Sequence, residues 1–194
     1  MKRYFIFILV LFLSCNLISQ KKIEGFPMLS SFVDSSFQNT DNIFPIAFIN
    51  INIDSKYYKI PISYSLLHYT TDSSNFLNKT DNIDNYCFQL LDNGQCKPMF
   101  KAETLKLPTD WLQYLKKIRN NYDSIKTKID LNNYFKFYKE ANWWQNDATP
   151  KDEDGKPLYF ICQIELEALT TDDCSLYIFF DKKKKIVRQI YQRD

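Results

Sequence analysis

Glycine is scarce in this chain: three residues in 194, at Gly25, Gly94 and Gly155, each far from the others. Loops that cradle phosphates need clustered glycines, so nucleotide-binding loops of that kind are excluded. Histidine is scarcer still. The one imidazole, His68, sits in the apolar stretch Leu66-Leu67-His68-Tyr69, and no G-x-S-x-G motif accompanies it. A Ser-His-Asp or Cys-His site therefore has little to draw on, and His68 reads as a core or edge residue. No C-x-x-C pair occurs, and His68 is remote in sequence from every cysteine, so neither a zinc site nor any other metal or cofactor is expected. Asp152, Asp154 and Gly155 resemble the start of a calcium loop, but the further ligands are missing and a plain turn is expected. A glycosidase-type carboxylate pair is left open, because separation in space is not readable from spacing. The expectation is a protein that is not an enzyme, with no catalytic residue to assign.

Charge of one sign is also lacking. The formal net charge is +2, and removing Lys2 and Arg3 brings it to 0. That matters because residues 1–19 have the layout of a secretory signal. Lys2 and Arg3 precede an apolar run from Tyr4 to Leu13, followed by Ser14, Cys15 and Ser19. About ten apolar residues are too few for a membrane helix, which needs roughly twenty. Ordinary cleavage after Ser19 would leave a mature chain starting Gln20-Lys21-Lys22. The alternative is a lipoprotein signal, with Cys15 lipidated and the chain anchored to a membrane. Either way the expected location is the periplasm or cell envelope. With no general basic field there is no nucleic-acid partner to expect, and a membrane contact only through Cys15. The run Lys182 to Lys185 reads as a solvated hairpin turn.

What remains is residues 20–194, enough for one domain with a real core. Aromatics make up 16% of the sequence, and no internal repeat is visible, so a stiff globular unit is expected. Cys87, Cys96, Cys162 and Cys174 become disulfide candidates on export, with three connectivities open; Cys162 could equally be a small buried hydrophobe.

Phe44–Ile53 and Tyr57–Tyr69 read as strands joined by Asp54-Ser55, with Pro61 marking an edge or a bulge. Tyr86–Leu91 and Cys96–Phe100 flank Asp92-Asn93-Gly94, and Asn93-Gly94 predicts a two-residue hairpin loop. One helix stands out. Pro108-Thr109 predicts its start with Thr109 as N-cap, and Trp111, Leu112, Leu115, Ile118, Tyr122 and Ile125 form one apolar stripe. Tyr134–Tyr138 suggests a short strand. In the last segment Leu158, Phe160, Cys162, Ile164 and Leu166 alternate with Tyr159, Ile161, Gln163 and Glu165, and strands at Leu176–Phe180 and Lys185–Tyr191 follow. The expectation is an α+β fold: a mostly antiparallel, curved sheet with one main amphipathic helix packed on it.

The stretch Asn142-Trp143-Trp144-Gln145-Asn146-Asp147-Ala148-Thr149-Pro150, then Asp154-Gly155 and Phe160-Ile161-Cys162-Gln163-Ile164-Glu165-Leu166, resembles the second half of the bacterial YwqG-like domain family. Phe179-Phe180 matches a later paired-phenylalanine strand. The likeness covers about residues 140–192. It implies an α+β fold round a curved sheet and no established activity; related domains have been proposed as immunity proteins that neutralise toxins of competing cells. By its chemistry the same stretch offers Trp143 and Trp144 as stiff apolar faces, with Gln145, Asp147 and Gln163 as polar neighbours. Such a set suits a protein interface, where tryptophan anchors dominate binding energy. The leading expectation is an envelope domain that binds another protein, a toxin or an envelope component. The alternative is a glycan- or cell-wall-binding module using exposed tryptophans.

Overall fold

In the computed structural model the described residues are 21–193 except Asn39, Thr70 and Thr171; the signal segment and Cys15 lie outside them. The longest strand, β2 (Ile43–Ile53), decides the architecture. Ten of its eleven residues are buried, on both faces of the strand. A strand covered on both faces needs material on each side, and one sheet with one helix cannot supply it. β2 pairs antiparallel with β1 (Lys22–Gly25) and with β3 (Lys56–Ser65) in a three-stranded sheet, order β1-β2-β3. That sheet lies against a second one of six strands, order β5-β4-β9-β8-β7-β6. These are β4 (Asn85–Leu90), β5 (Cys96–Pro98), β6 (Phe135–Lys136), β7 (Tyr159–Glu165), β8 (Cys174–Asp181) and β9 (Ile186–Arg193), all antiparallel. The α+β expectation is therefore corrected: the fold is mostly β, with 38% strand and two sheets.

The core lies between the sheets. Phe48 packs on Phe32 (ring centroids 5.2 Å apart), Phe32 on Phe88, and Tyr58 on Phe180. Phe32 comes from a single helical turn, α1 (Leu29–Phe32), wedged at the seam. Fully burying one such ring is worth roughly 1.5–3 kcal/mol, and this core holds many. Pro61 sits on β3, which is an edge strand. The free edge of β3 is sealed by side chains of the larger sheet. Gln189 donates from Nε2 to the Ser63 carbonyl at 2.9 Å and accepts the Ser63 N–H at 3.0 Å. The Ser65 N–H donates to the Tyr86 hydroxyl, and the Tyr191 hydroxyl donates to the Ser63 carbonyl. All these groups are buried, so each unmade bond would carry a full desolvation cost.

The helix is present but marginal to the layers. α2 (Leu112–Lys128) buries Ile118, Tyr122 and Ile125 against the end of the sandwich, and Leu112 stays exposed. It is fastened at a bulge of β2, where the Tyr122 hydroxyl donates to the Pro45 carbonyl at 2.5 Å, and Asn121 donates to the Leu169 carbonyl of α4 (Glu167–Thr170). Its start differs from expectation. Thr109–Trp111 form a short 3-10 turn instead, and the α-helix has Trp111 as its N-cap with no side-chain cap bond.

Two strand details also differ. Leu90 faces Cys96, so the hairpin loop is the three residues Asp92-Asn93-Gly94, with only Gly94 at positive φ (84°). That is a type I turn closed by a glycine bulge, which Gly94 permits without a Cβ penalty. In β7 a bulge between Phe160 and Cys162 breaks the alternation. Leu158 and Phe160 consequently pack on the outer face of the large sheet, while Cys162, Ile164 and Leu166 pack inward. One extra residue reverses the faces of everything before it. The short strand expected at Tyr134–Tyr138 is β6 (Phe135–Lys136), which follows directly on a helical turn, α3 (Leu131–Tyr134).

All four described cysteines are buried free thiols. Cys87 faces Arg188, Cys96 faces Leu90, Cys162 faces Ile178 and Cys174 faces Arg193. With about 4.8 Å between strands and about 3.3 Å per residue, the register holds every pair beyond the roughly 7 Å Cα separation that a bridge tolerates.

Candidate functional site

The outward face of β7, β8 and β9 carries Tyr177, Phe179 and Ile190, an apolar strip that water would meet if nothing covered it. An irregular segment, residues 137–158, lies over it. Trp143 is the plug: its ring centroid is 4.2 Å from that of Tyr177, and it lies nearly parallel to Phe179 (13°, 5.8 Å). A covering loop has no strand ladder to satisfy its backbone, so side chains must supply the partners. Gln192 does most of this. Its Oε1 accepts the N–H groups of Trp144 (3.0 Å) and Gln145 (3.1 Å), and its Nε2 donates to the Asn146 carbonyl. The Tyr177 hydroxyl accepts from Trp144 N–H and donates to the Asn142 carbonyl. Gln163, 2% exposed, accepts from Asn142 N–H and donates to the Ser175 hydroxyl. Gln145 donates to the Arg193 carbonyl at 2.5 Å.

The five residues expected to form a binding set thus divide. Trp143 and Gln163 hold the loop down, and Gln145 ties it to the end of β9. Trp144 remains 40% exposed, and Asp147 is exposed, its carboxylate held below the usual range by the Thr149 side chain and N–H.

Beside the loop runs a groove of about 1090 Å³. Tyr138 and Tyr159, 45% and 44% exposed, stand on its wall with Phe160 below. Lys139, Lys151 and Lys182 line it against Glu140 and Asp147. At its end Lys21 is half-buried over the Phe137 ring (4.3 Å) and donates to the Ile161 carbonyl freed by the β7 bulge. Burial lowers the Lys21 pKa, with the Cys162 thiol opposing that shift. Tyr138 and Tyr159 were not singled out in the sequence. The signal for Tyr159 was its place opposite Phe160 in the alternation; Tyr138 gave none, because its neighbours are irregular.

Other candidate chemistry resolves into structure. Asp152 Oδ1 accepts the N–H groups of Asp154 and Lys156, a side-chain-closed turn, and the Lys183 ammonium pairs with both Asp152 and Asp154, where a cation would otherwise sit. The other lysines of the run are paired too: Lys182 with Asp54, Lys184 with Glu153 and Lys185 with Asp92. Among the described residues no group of three or more His, Cys, Asp or Glu is placed to hold a metal ion. Burial pushes all four thiols up, Cys174 to about 11, which removes them as nucleophiles near neutral pH. His68 is half-buried, its backbone N–H donating to the Thr104 carbonyl. No protein-family model, no curated protein and no solved structure matches this chain.

Proposed function

We propose that the mature chain is an exported, non-enzymatic binding domain of the cell envelope whose groove beside residues 137–158 receives another protein. The observation that supports this reading is a set of exposed aromatic side chains: Tyr138 and Tyr159 on the groove, the latter fixed in the β7 ladder, and Trp144 beside it on loop backbone tied down by Tyr177 and Gln192. Rigid aromatic anchors bind with little ordering cost, and interfaces are built round them. The narrower form of the proposal is an immunity protein that neutralises a toxin acting in the envelope, in keeping with the YwqG-like likeness of residues 140–192. The test is a fitness competition against a toxin-producing neighbour. A deletion strain should lose protection, the wild-type gene should restore it, and a folded Tyr138→Ala/Tyr159→Ala variant should not. Full restoration by that variant sinks the reading.

A second reading, a glycan-binding module, rests on Trp144, because Trp143 is packed on Tyr177 and Phe179 and only partly exposed. Cell-wall pulldowns separate the two: retention that vanishes in Trp144→Ala would favour the glycan. The export premise has its own check, the intact mass of the mature protein, beginning at Gln20 or at lipidated Cys15.

A further inference from the structure

A second pocket, of about 360 Å³, opens where the end of β3 meets the start of α2, and it shares no lining residue with the groove. Its volume lies within the roughly 300–1,000 Å³ range of small-molecule sites. Leu66, Leu67 and Ile83 line it with apolar surface. Its aromatic wall is built in layers. Tyr69 stacks on Trp111 (5.3 Å, 18°), and Trp111 meets Tyr114 edge-on (5.9 Å, 77°). Tyr69 keeps this position although it is 55% exposed, so the stack forms a lip.

The polar groups are arranged with one sign in excess. The Tyr114 hydroxyl donates to Asp172 Oδ2 at 3.2 Å, and buried Tyr64 lines the same wall. Asp172 and Asp110 both line the pocket, and neither takes an ion pair among the described residues. The one cation on the wall, Arg193, is already engaged by Asp84 at 2.9 Å. An anion entering here would face two carboxylates. A neutral ring would stack but leave both carboxylates against an apolar body. A cation with an apolar skeleton satisfies the walls and the charge together, since aromatic faces and carboxylates both attract it.

We propose that this pocket binds a small organic cation, an ammonium or quaternary ammonium group on an apolar body, with Trp111 and Tyr114 as its aromatic contacts and Asp172 as its counter-charge. Asp110 adds a second negative group at the mouth.

The test uses the mature protein purified from exporting cells, titrated with benzyltrimethylammonium and with its neutral isostere neopentylbenzene, the Trp111 indole N–H being followed by NMR. The cation should move that resonance saturably, and the neutral probe should bind about tenfold more weakly or not at all. Asp172→Asn, close to isosteric, should weaken the cation by about three- to tenfold at unchanged melting temperature. Trp111→Phe keeps a ring for packing but removes the reporter, so its affinity is read by isothermal titration calorimetry beside wild type; it should weaken the cation by a similar factor. Tyr159→Ala, in the groove, should bind as wild type. Equal binding of the two probes, an unchanged affinity in Asp172→Asn, or loss of binding in Tyr159→Ala would each overturn the assignment. N-acetyl-lysine methylamide, run alongside, reports the source of the cation. Weaker binding than the quaternary probe supports a free small molecule, and tighter binding overturns that in favour of a lysine side chain.

Discussion

The two faces of the six-stranded sheet are both buried, and they are buried by different means. β8 shows this in one strand, since all eight of its residues are buried. Inward, Leu176, Ile178 and Phe180 meet another sheet, whose backbone is largely satisfied by its own ladders. Outward, Tyr177 and Phe179 meet a loop with no ladder, and the strands beneath it must carry Gln163 (itself held by Ser175), Tyr177 and Gln192 to serve its backbone. The same device recurs once on the inward face, where Gln189 and two tyrosines seal the edge of β3. The lesson is that buried polar side chains on these strands mark the places where irregular or edge backbone has to be covered. They are structural before they are functional, and on this face they leave Tyr138, Trp144 and Tyr159 as exposed aromatics.

The contrast can be broken at several points. The largest effect belongs to the inward face. Phe180→Ala should cost about 3–5 kcal/mol, read by urea denaturation, because the ring packs on Tyr58 and both sheets lose contact. A cost below that of any outward substitution would invert the comparison. Next comes the hydroxyl cluster between the sheets. Burial pushes Tyr86 up from its ordinary value of 10.0 to about 12. The folded protein therefore keeps this proton where the unfolded chain gives it up. The stability concerned is intact below pH 10 and falls, by on the order of 2 kcal/mol, as pH climbs from 10 toward 12. Melting temperatures across pH 9 to 12 should show the fall, and Tyr86→Phe should flatten part of it; a variant that declines in parallel with wild type refutes the cause.

On the outward face Trp143→Ala should cost about 2 kcal/mol, less than Phe180→Ala, because the tryptophan is only partly buried. Hydrogen exchange should speed up at Asn142 to Asn146 and leave β2 unchanged. Gln192→Leu should cost about 1 kcal/mol, with faster exchange confined to the Trp144 and Gln145 amides; unaltered protection there would remove Gln192 from its assigned role. The smallest effect belongs to the lysine run. Lys183→Ala removes pairs that are solvent-exposed, and the melting temperature should not move measurably, since such pairs contribute little in water.

Much of the local structure was legible. The strands read at Phe44–Ile53 and Leu176–Phe180 fall within β2 and β8, the apolar stripe from Trp111 to Ile125 falls largely within α2, and Asp54-Ser55 marked a turn whose two residues both take positive φ. The layers were not legible, because covering a strand by a second sheet or by a helix makes the same demand for apolar residues. Within the candidate site, Trp143 and Gln163 were found as residues but given binding roles. Which face of an aromatic ring is free depends on Tyr177 and Phe179, 34 and 36 positions later in the chain.

By itself, then, the sequence determined what depends on near neighbours and composition: the cationic start and apolar run of residues 4–13, the scarcity of glycine and the lack of a C-x-x-C pair, the strand and helix periods, and the turn residues. Tertiary structure alone decided what depends on distance. The pairing of β4 with β9 set the six-strand order, the β7 bulge chose the outward face for Phe160, and the meeting of β3 with α2 assembled Tyr64, Trp111, Tyr114, Asp172 and Arg193 round one pocket. Periodicity is a property of a segment, but burial, charge balance and free surface belong to partners that only folding brings together.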